Sequence, residues 1–200
     1  MDEGEADMHL AHEDTLIAWS QERGAQVQGA VDTTLFSVDA GDEGERLELV
    51  AGGCELWVRS RGPFTLLATM SSVVAAEKYM FYTRAGHRRI ALGLPRWSYL
   101  RVGDAIAAGV TITWGDTTTT MSWSESQGLE TITFFYPKAS AAVTLSHLVQ
   151  MPVVDLIAAI ESPAAPHLLV LEEGDTHGLV LWSAKPESAP TDARGYRWAR

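Results

Sequence analysis

Residues 46–70 read RLELVAGGCELWVRSRGPFTLLATM, and this stretch decides the predicted fold. Apolar and polar residues alternate along it, and the turn residues Gly52-Gly53 and the triplet at 61–63 interrupt the alternation. A period of two with breaks at turn residues indicates strands joined by short turns. Because short turns cannot make a parallel crossover, we predict three antiparallel strands.

A helix is predicted directly after these strands. Ser71 or Ser72 can act as the N-cap of VVAAEKYMFYTRA, which contains no helix breaker before Gly86. Basic residues then cluster where a helix C-terminus favours positive charge. We predict a helix over 71–85 whose buried face consists of Val73, Ala76, Met80 and Phe81.

The same order of elements recurs further along the chain. GVTITW meets TTTTMSWS through Gly115-Asp116, which suits a two-residue hairpin turn, and a loop at Gly128 leads into LETITFFY. Apolar residues then recur at helical spacing over 141–161, where Pro152 predicts either a kink or two short helices. Two units result, 47–95 and 110–162, and either duplication or chance recurrence of a common motif explains them.

These elements predict an α+β fold with mainly antiparallel sheets, helices packed on them, and a pseudo-repeat of a three-strand meander plus a helix. An N-terminal helix near 12–23, a strand near 32–38 and a last hairpin from HLLVLE (167–172) and LVLWSA (179–184) complete the prediction. The predicted layout is an acidic N-terminal segment with one helix over 1–46, a single α+β domain over 47–184 and a flexible tail over 185–200.

The formal net charge of −11 lies entirely in the first quarter of the chain. Residues 1–50 contain thirteen acidic and two basic residues, whereas residues 51–200 contain thirteen of each. Such an end repels nucleic acid and anionic membranes and attracts a basic protein surface. A solvated end that keeps the domain soluble is the alternative. We therefore expect neither a nucleic-acid nor a membrane partner.

Cysteine usage and the N-terminus both predict a cytoplasmic protein. The single cysteine, Cys54, cannot form an internal disulfide, which suits a reducing compartment. The first residues are acidic and lack the apolar core of a signal peptide. No apolar run approaches the ~20 residues that cross a bilayer.

Catalytic and cofactor motifs are missing from the sequence. It contains neither GxGxxG nor a P-loop nor GxSxG, and Cys54 is expected to be an inert residue of an exposed turn. His9 and His12, three residues apart, are a weak metal-site candidate without supporting residues. We expect no enzyme activity, no cofactor and no metal, and a small-molecule enzyme or carrier with a dispersed pocket stays as an alternative.

Partner-binding residues are predicted from charge and alternation. Trp57 and Arg59 share a strand face with Glu55, on the side that should be wet, and aromatic residues beside arginine often anchor protein interfaces. A further layer covering that face is the alternative, whereas Trp123 is expected in the core. An acidic loop that would face a basic partner completes the set: Asp39, Asp42, Glu43 and Glu45.

The stretch AAEKYMFYTRAGHRRIALGLPRW, preceded by WVRSRGPFTLLATMSSV, resembles immunity proteins of bacterial polymorphic toxin systems, in particular the antitoxin family of the tuberculosis necrotizing toxin. The matching features are Glu77 with Tyr79, the basic residues before Ile90, and the sequence Gly-Leu-Pro at 93–95. The resemblance covers about residues 47–162 and excludes the acidic first fifty residues and the tail. Its second helix matches more loosely, at Leu145, Ser146, Leu148 and Asp155.

The resemblance implies a cytosolic inhibitor that binds a toxin domain, in that family an NAD glycohydrolase, and covers its active site. A secretion or assembly chaperone is the main alternative, since it would also be acidic and lack catalytic residues. A neighbouring toxin gene would favour the antitoxin, and a neighbouring secretion apparatus would favour the chaperone.

Overall fold

The computed structural model describes residues 9–22, 24–95, 97, 100, 104–126, 128–136 and 139–163. Within them, eight antiparallel strands form one sheet with four helices, which confirms the predicted α+β class. The predicted last hairpin and tail lie outside the described residues. The elements are α1 (Glu13–Gln21), β1 (Gln26–Gln28), β2 (Thr34–Ala40), β3 (Glu43–Val50), β4 (Gly53–Ser60), β5 (Thr65–Met70), α2 (Val73–Ala91), β6 (Val110–Trp114), β7 (Thr119–Glu125), β8 (Gly128–Phe134), α3 (Ser140–Ser146) and α4 (Val153–Glu161).

The two predicted meanders are present and share one sheet. The strand order is β1-β2-β3-β4-β5-β8-β7-β6, so the meanders meet through their last strands. Antiparallel pairing of Ala68 with Phe134 and of Met70 with Ile132 joins them. Each meander is followed by helix, α2 in the first unit and α3 with α4 in the second.

The acidic N-terminal segment contributes strands to this same sheet. The predicted boundary at residue 47 lies inside β3. β3 pairs with β2 along its length, from Glu43 opposite Ala40 to Glu48 opposite Thr34. The short strand β1 pairs in turn with β2. Alternation could not predict β1, because three residues are too few to show a period of two. The acidic N-terminal segment and the predicted domain therefore belong to one hydrogen-bonded sheet.

The predicted N-cap of α2 is found, but its predicted end is wrong. The Ser72 hydroxyl accepts a hydrogen bond from the Ala75 amide at 3.1 Å. The helix then passes through Gly86 to Ala91. Arg89 near its end donates to the carbonyl oxygens of Ile160 and Ser162, both at 2.8 Å. These contacts with the end of α4 stabilise the last turns, whereas an interior glycine costs only about 1 kcal/mol.

The buried face of α2 is wider than predicted. Ala76, Met80 and Phe81 are fully buried, but Val73 is only half-buried. Four charged side chains, which a narrow apolar stripe would leave in water, are also buried: Glu77, Lys78, Arg84 and Arg89. Glu77 contacts His12 at the start of α1 and Arg89 contacts the end of α4, whereas Lys78 and Arg84 pair with carboxylates of the sheet.

Two junctions of the second unit refine the predictions. Pro152 separates α3 from α4 and is the N-cap residue of α4, which confirms two helices over one kinked helix. The hairpin turn after β6 lies one residue later than predicted, because the Gly115 amide donates to the Thr118 carbonyl oxygen at 2.8 Å. Asp116 and Thr117 are thus the central residues of the turn.

Alternation gives the sheet two different faces. On one side, which we call the helix face, side chains are buried under α2 and α3; the Tyr79 ring of α2, for example, lies 5.5 Å from that of Phe134. No described helix packs on the other side, which we call the open face. On β4 the helix face carries Cys54, Leu56 and Val58, and the open face carries Glu55, Trp57 and Arg59.

Two core residues test the sequence predictions directly. Trp123 is 1% exposed on the helix face, as predicted. The expectation that Cys54 sits in an exposed turn is wrong, because β4 begins at Gly53 and directs the thiol into the core. Burial raises the pKa of Cys54 to about 11, so the thiol stays protonated at neutral pH.

Candidate functional site

An aromatic cluster flanked by arginines lies on the open face of β3, β4 and the residues before β5. Trp57 lies directly opposite Arg46 on one side and Leu66 on the other. The Phe64 ring is contacted by two guanidinium groups, with the Arg46 and Arg59 Cζ atoms 4.9 and 5.1 Å from its centroid. Cations over an aromatic ring attract its negative face, which holds these side chains together. We call these five residues the arginine–aromatic patch.

Neighbouring carboxylates hold the patch in place. Arg46 Nε lies 2.9 Å from Glu48 Oε1. The Trp57 indole Nε1 donates to Glu55 Oε2 at 3.2 Å, which fixes the ring on the sheet surface. Such half-exposed ion pairs add only about 0–1 kcal/mol of stability each. Their main consequence is that a partner would meet side chains already ordered, which lowers the entropy cost of binding.

Three acidic residues, Asp39, Asp42 and Glu43, lie at the turn between β2 and β3, and we call them the acidic turn. Asp39 Oδ1 accepts from Arg59 Nη2 at 3.1 Å and from the Gly41 amide at 2.9 Å. Gly41, with φ of +75°, supplies the left-handed conformation that this turn requires. Asp42 and Glu43 are exposed. The acidic turn is therefore tied to the patch through Arg59.

Glu45 does not lie with the other predicted site residues. It is opposite Val58 on the helix face, where its Oε2 accepts from Arg84 Nη2 at 2.7 Å. The Arg84 side chain is only 5% exposed and also donates through Nε to Ser20 Oγ at 2.7 Å. The structure thus joins Asp39 to Arg59 on the face that also carries Trp57, leaves Asp42 and Glu43 exposed beside the turn, and places Glu45 behind the sheet.

The far half of the open face carries hydroxyl groups and no charged strand residue among those described. Threonines lie directly opposite one another across β6, β7, β8 and β5, and the Thr120 and Thr133 hydroxyls are 3.1 Å apart. The array cannot be predicted from alternation within one strand, because the pairing of β5 with β8 is not encoded locally. The row consists of Thr113, Thr120, Thr133 and Thr69.

Other candidate sites are small or already occupied by contacts within the chain. The described residues contain no group of three or more His, Cys, Asp or Glu that could hold a metal. His12 instead contacts Glu77, whose Oε1 accepts from the His12 amide at 2.5 Å. A shallow depression of about 290 Å³ on the open face is lined in part by Gln28, Ser37 and Arg46. No described helix has the length and apolar character of a membrane span.

Comparison with known proteins identifies the family. A solved structure, Rv3902c from M. tuberculosis, shares the fold with a TM-score of 0.63 at 15% identity, over 84% of this chain and 98% of that chain. No curated protein sequence matches the chain. The model of the family Immunity protein 61 matches residues 19–166, so it includes acidic strands that the sequence resemblance left out. The predicted recognition as an immunity protein is confirmed, and the chain belongs to the Immunity protein 61 family.

Proposed function

We propose that this protein binds a cognate toxin domain in the cytoplasm of the producing cell and blocks its active site, and that the toxin is an NAD glycohydrolase. The observation that carries the proposal is the family match over residues 19–166, since an immunity protein acts on a toxin. The choice of an NAD glycohydrolase rests on the resemblance around Glu77, Tyr79 and residues 93–95.

The toxin contact in this proposal is the arginine–aromatic patch together with the acidic turn. Trp57 is the central anchor, because a half-buried indole beside arginines gains most when a partner excludes the remaining water. Arg59 contacts both regions and orients them. Asp42 and Glu43 supply negative charge for a basic toxin, and Glu45 supports this part of the sheet from behind through Arg84.

Inhibition by covering a site requires no chemistry from the inhibitor, so we propose that the protein itself turns over no substrate. The polar groups of the patch bond to the neighbouring carboxylates of Glu48, Asp39 and Glu55 and so are engaged in positioning. The test is to isolate the protein from its native host with whatever it binds, and then to assay it alone and with the captured toxin domain for NAD hydrolysis. Capture of a protein without NAD glycohydrolase activity would contradict the proposal.

Neutralising the acidic turn is expected to slow toxin association. The double variant Asp42→Asn, Glu43→Gln removes two exposed charges. Exposed charges act mainly by steering the encounter. We expect a lower association rate and a weaker dependence on salt, with little change in dissociation. Stopped-flow mixing at two ionic strengths measures both.

The matched control removes the same charge elsewhere. Asp14→Asn with Asp155→Asn neutralises two exposed acids in the first turns of α1 and α4. If this control slows association as much as the variant of the acidic turn, then net charge alone steers the encounter. The acidic turn would then have no special role in binding.

A further inference from the structure

The two edges of the described sheet differ in how they are protected. β1, at one edge, has only three residues and packs against α1. β6, at the other edge, has five residues, VTITW, and pairs with β7 in unbroken register from Val110 to Trp114. It contains no charge, proline or bulge, which are the usual features that prevent an edge strand from pairing further.

The hydrogen bonds around β6 establish which of its backbone groups face outward. The Gly115 amide donates to Thr118 across the hairpin turn, so residue 115 faces β7. Orientation alternates along a strand, so Thr113 and Thr111 also face β7. Ile112 and Trp114 therefore direct their N–H and C=O groups away from the sheet, and no described residue hydrogen-bonds to them. These outward N–H and C=O groups can form the backbone hydrogen bonds of one more strand.

We propose that an extended, neutral or basic segment of the toxin adds to β6 as a further antiparallel or parallel strand. This inference rests on the proposed function, because it names a second contact of the same toxin. Backbone pairing supplies affinity without side-chain charges, and β6 has none. The exposed Thr111 and Thr113 hydroxyls would lie beside the added strand on the open face.

Charge favours the toxin over a second copy of this chain as the occupant. The excess acidic charge lies in residues 1–50, toward the other edge of the sheet, so the charge close to β6 decides. A second copy would bring another β6, which has no basic residue to meet Asp116, whereas a toxin segment can supply one. Asp116, exposed in the turn next to β6, would meet a basic residue near the end of the added strand. Occupation by another part of this chain or by a second copy is distinguishable by experiment.

Site-resolved amide hydrogen exchange on the full chain, free and saturated with toxin, tests the inference. In the free protein, the Ile112 and Trp114 amides are expected to exchange rapidly, while those of Thr111 and Thr113 are protected by pairing with β7. In the complex, exchange at Ile112 and Trp114 should slow by about tenfold or more, since both amides become hydrogen-bonded. The amides facing β7 are the control within the same strand.

Three outcomes would overturn the inference. Unchanged exchange at Ile112 and Trp114 in a saturated, inhibited complex would remove the β6 contact and leave the proposed function standing. Protection of both amides already in the free protein, whether or not it depends on protein concentration, would show that this chain or a second copy occupies the edge. Absence of any toxin complex would end both proposals.

Discussion

Glu125→Gln is expected to lower the free energy of unfolding by about 3 kcal/mol, near the lower end of the effect of breaking a buried ion pair. The Lys78 side chain is 2% exposed and forms an ion pair with Glu125. Its ammonium group also donates to the Val149 carbonyl oxygen at 2.5 Å. Glutamine keeps the size of the side chain but leaves the buried positive charge without a counterion. The Glu125 side chain is 28% exposed, so water moderates the loss.

Urea unfolding of Glu125→Gln beside Glu48→Gln measures this effect. Glu48 pairs with Arg46 on the open face, where the arginine is 39% exposed, so its neutralisation should cost less than about 1 kcal/mol. Equal losses in the two variants would contradict the assignment of Lys78 and Glu125 as the pair that fixes α2 to β7.

Acid should remove the same contribution from the unmodified protein. Burial raises the pKa of Glu125, but hydrogen bonds from Lys78 and Trp123 and the charge of Lys78 outweigh it and hold the pKa below its ordinary value of 4.5. A carboxyl with a lower pKa in the folded state stabilises fully above its unfolded pKa and loses this effect as pH falls through the folded one. The stability difference from Glu125→Gln should therefore shrink below about pH 4.5.

Trp57→Ala is expected to weaken toxin binding by about 2 kcal/mol or more, a rise of about thirtyfold in Kd, mainly through faster dissociation. The indole lies between Arg46 and Leu66 and is held by Glu55, so its loss removes the ordered centre of the patch. Dissociation rates measured at constant salt give the effect. Circular dichroism confirms that the variant is folded.

Two controls separate an anchor from a general loss of apolar surface. Trp57→Phe keeps a ring at this position and should bind with a Kd within about tenfold of the unmodified protein. Val154→Ala shortens a side chain that is 60% exposed on α4, on the helix side of the sheet, and should leave binding unchanged. If Val154→Ala accelerates dissociation while Trp57→Ala does not, the toxin binds the helix side.

The strands were predictable because their signal is local. Alternation along residues 46–70 reports directly on which side chains are buried, and it also placed Trp57 and Arg59 on the open face. The same alternation would have placed Glu45 on the face of Leu47, two residues along β3. Grouping the acids by charge alone ignored this constraint, and Glu45 was therefore misplaced.

The remaining features depend on contacts between distant parts of the chain. Lys78 and Glu125 are 47 residues apart, and nothing near either one predicts their pairing. The end of α2 is set by Arg89 reaching the last turn of α4, which overrides Gly86. The position of β6 at an edge of the described sheet follows from β5 pairing with β8, a choice that neither meander specifies alone.

The most direct test of the central claim is a titration of the cognate toxin domain with this protein while NAD hydrolysis is followed. Inhibition by covering the active site predicts that the rate falls in proportion to the added protein until all toxin is bound, and that the protein alone hydrolyses no NAD. Undiminished NAD hydrolysis in the presence of excess, folded protein would contradict the claim.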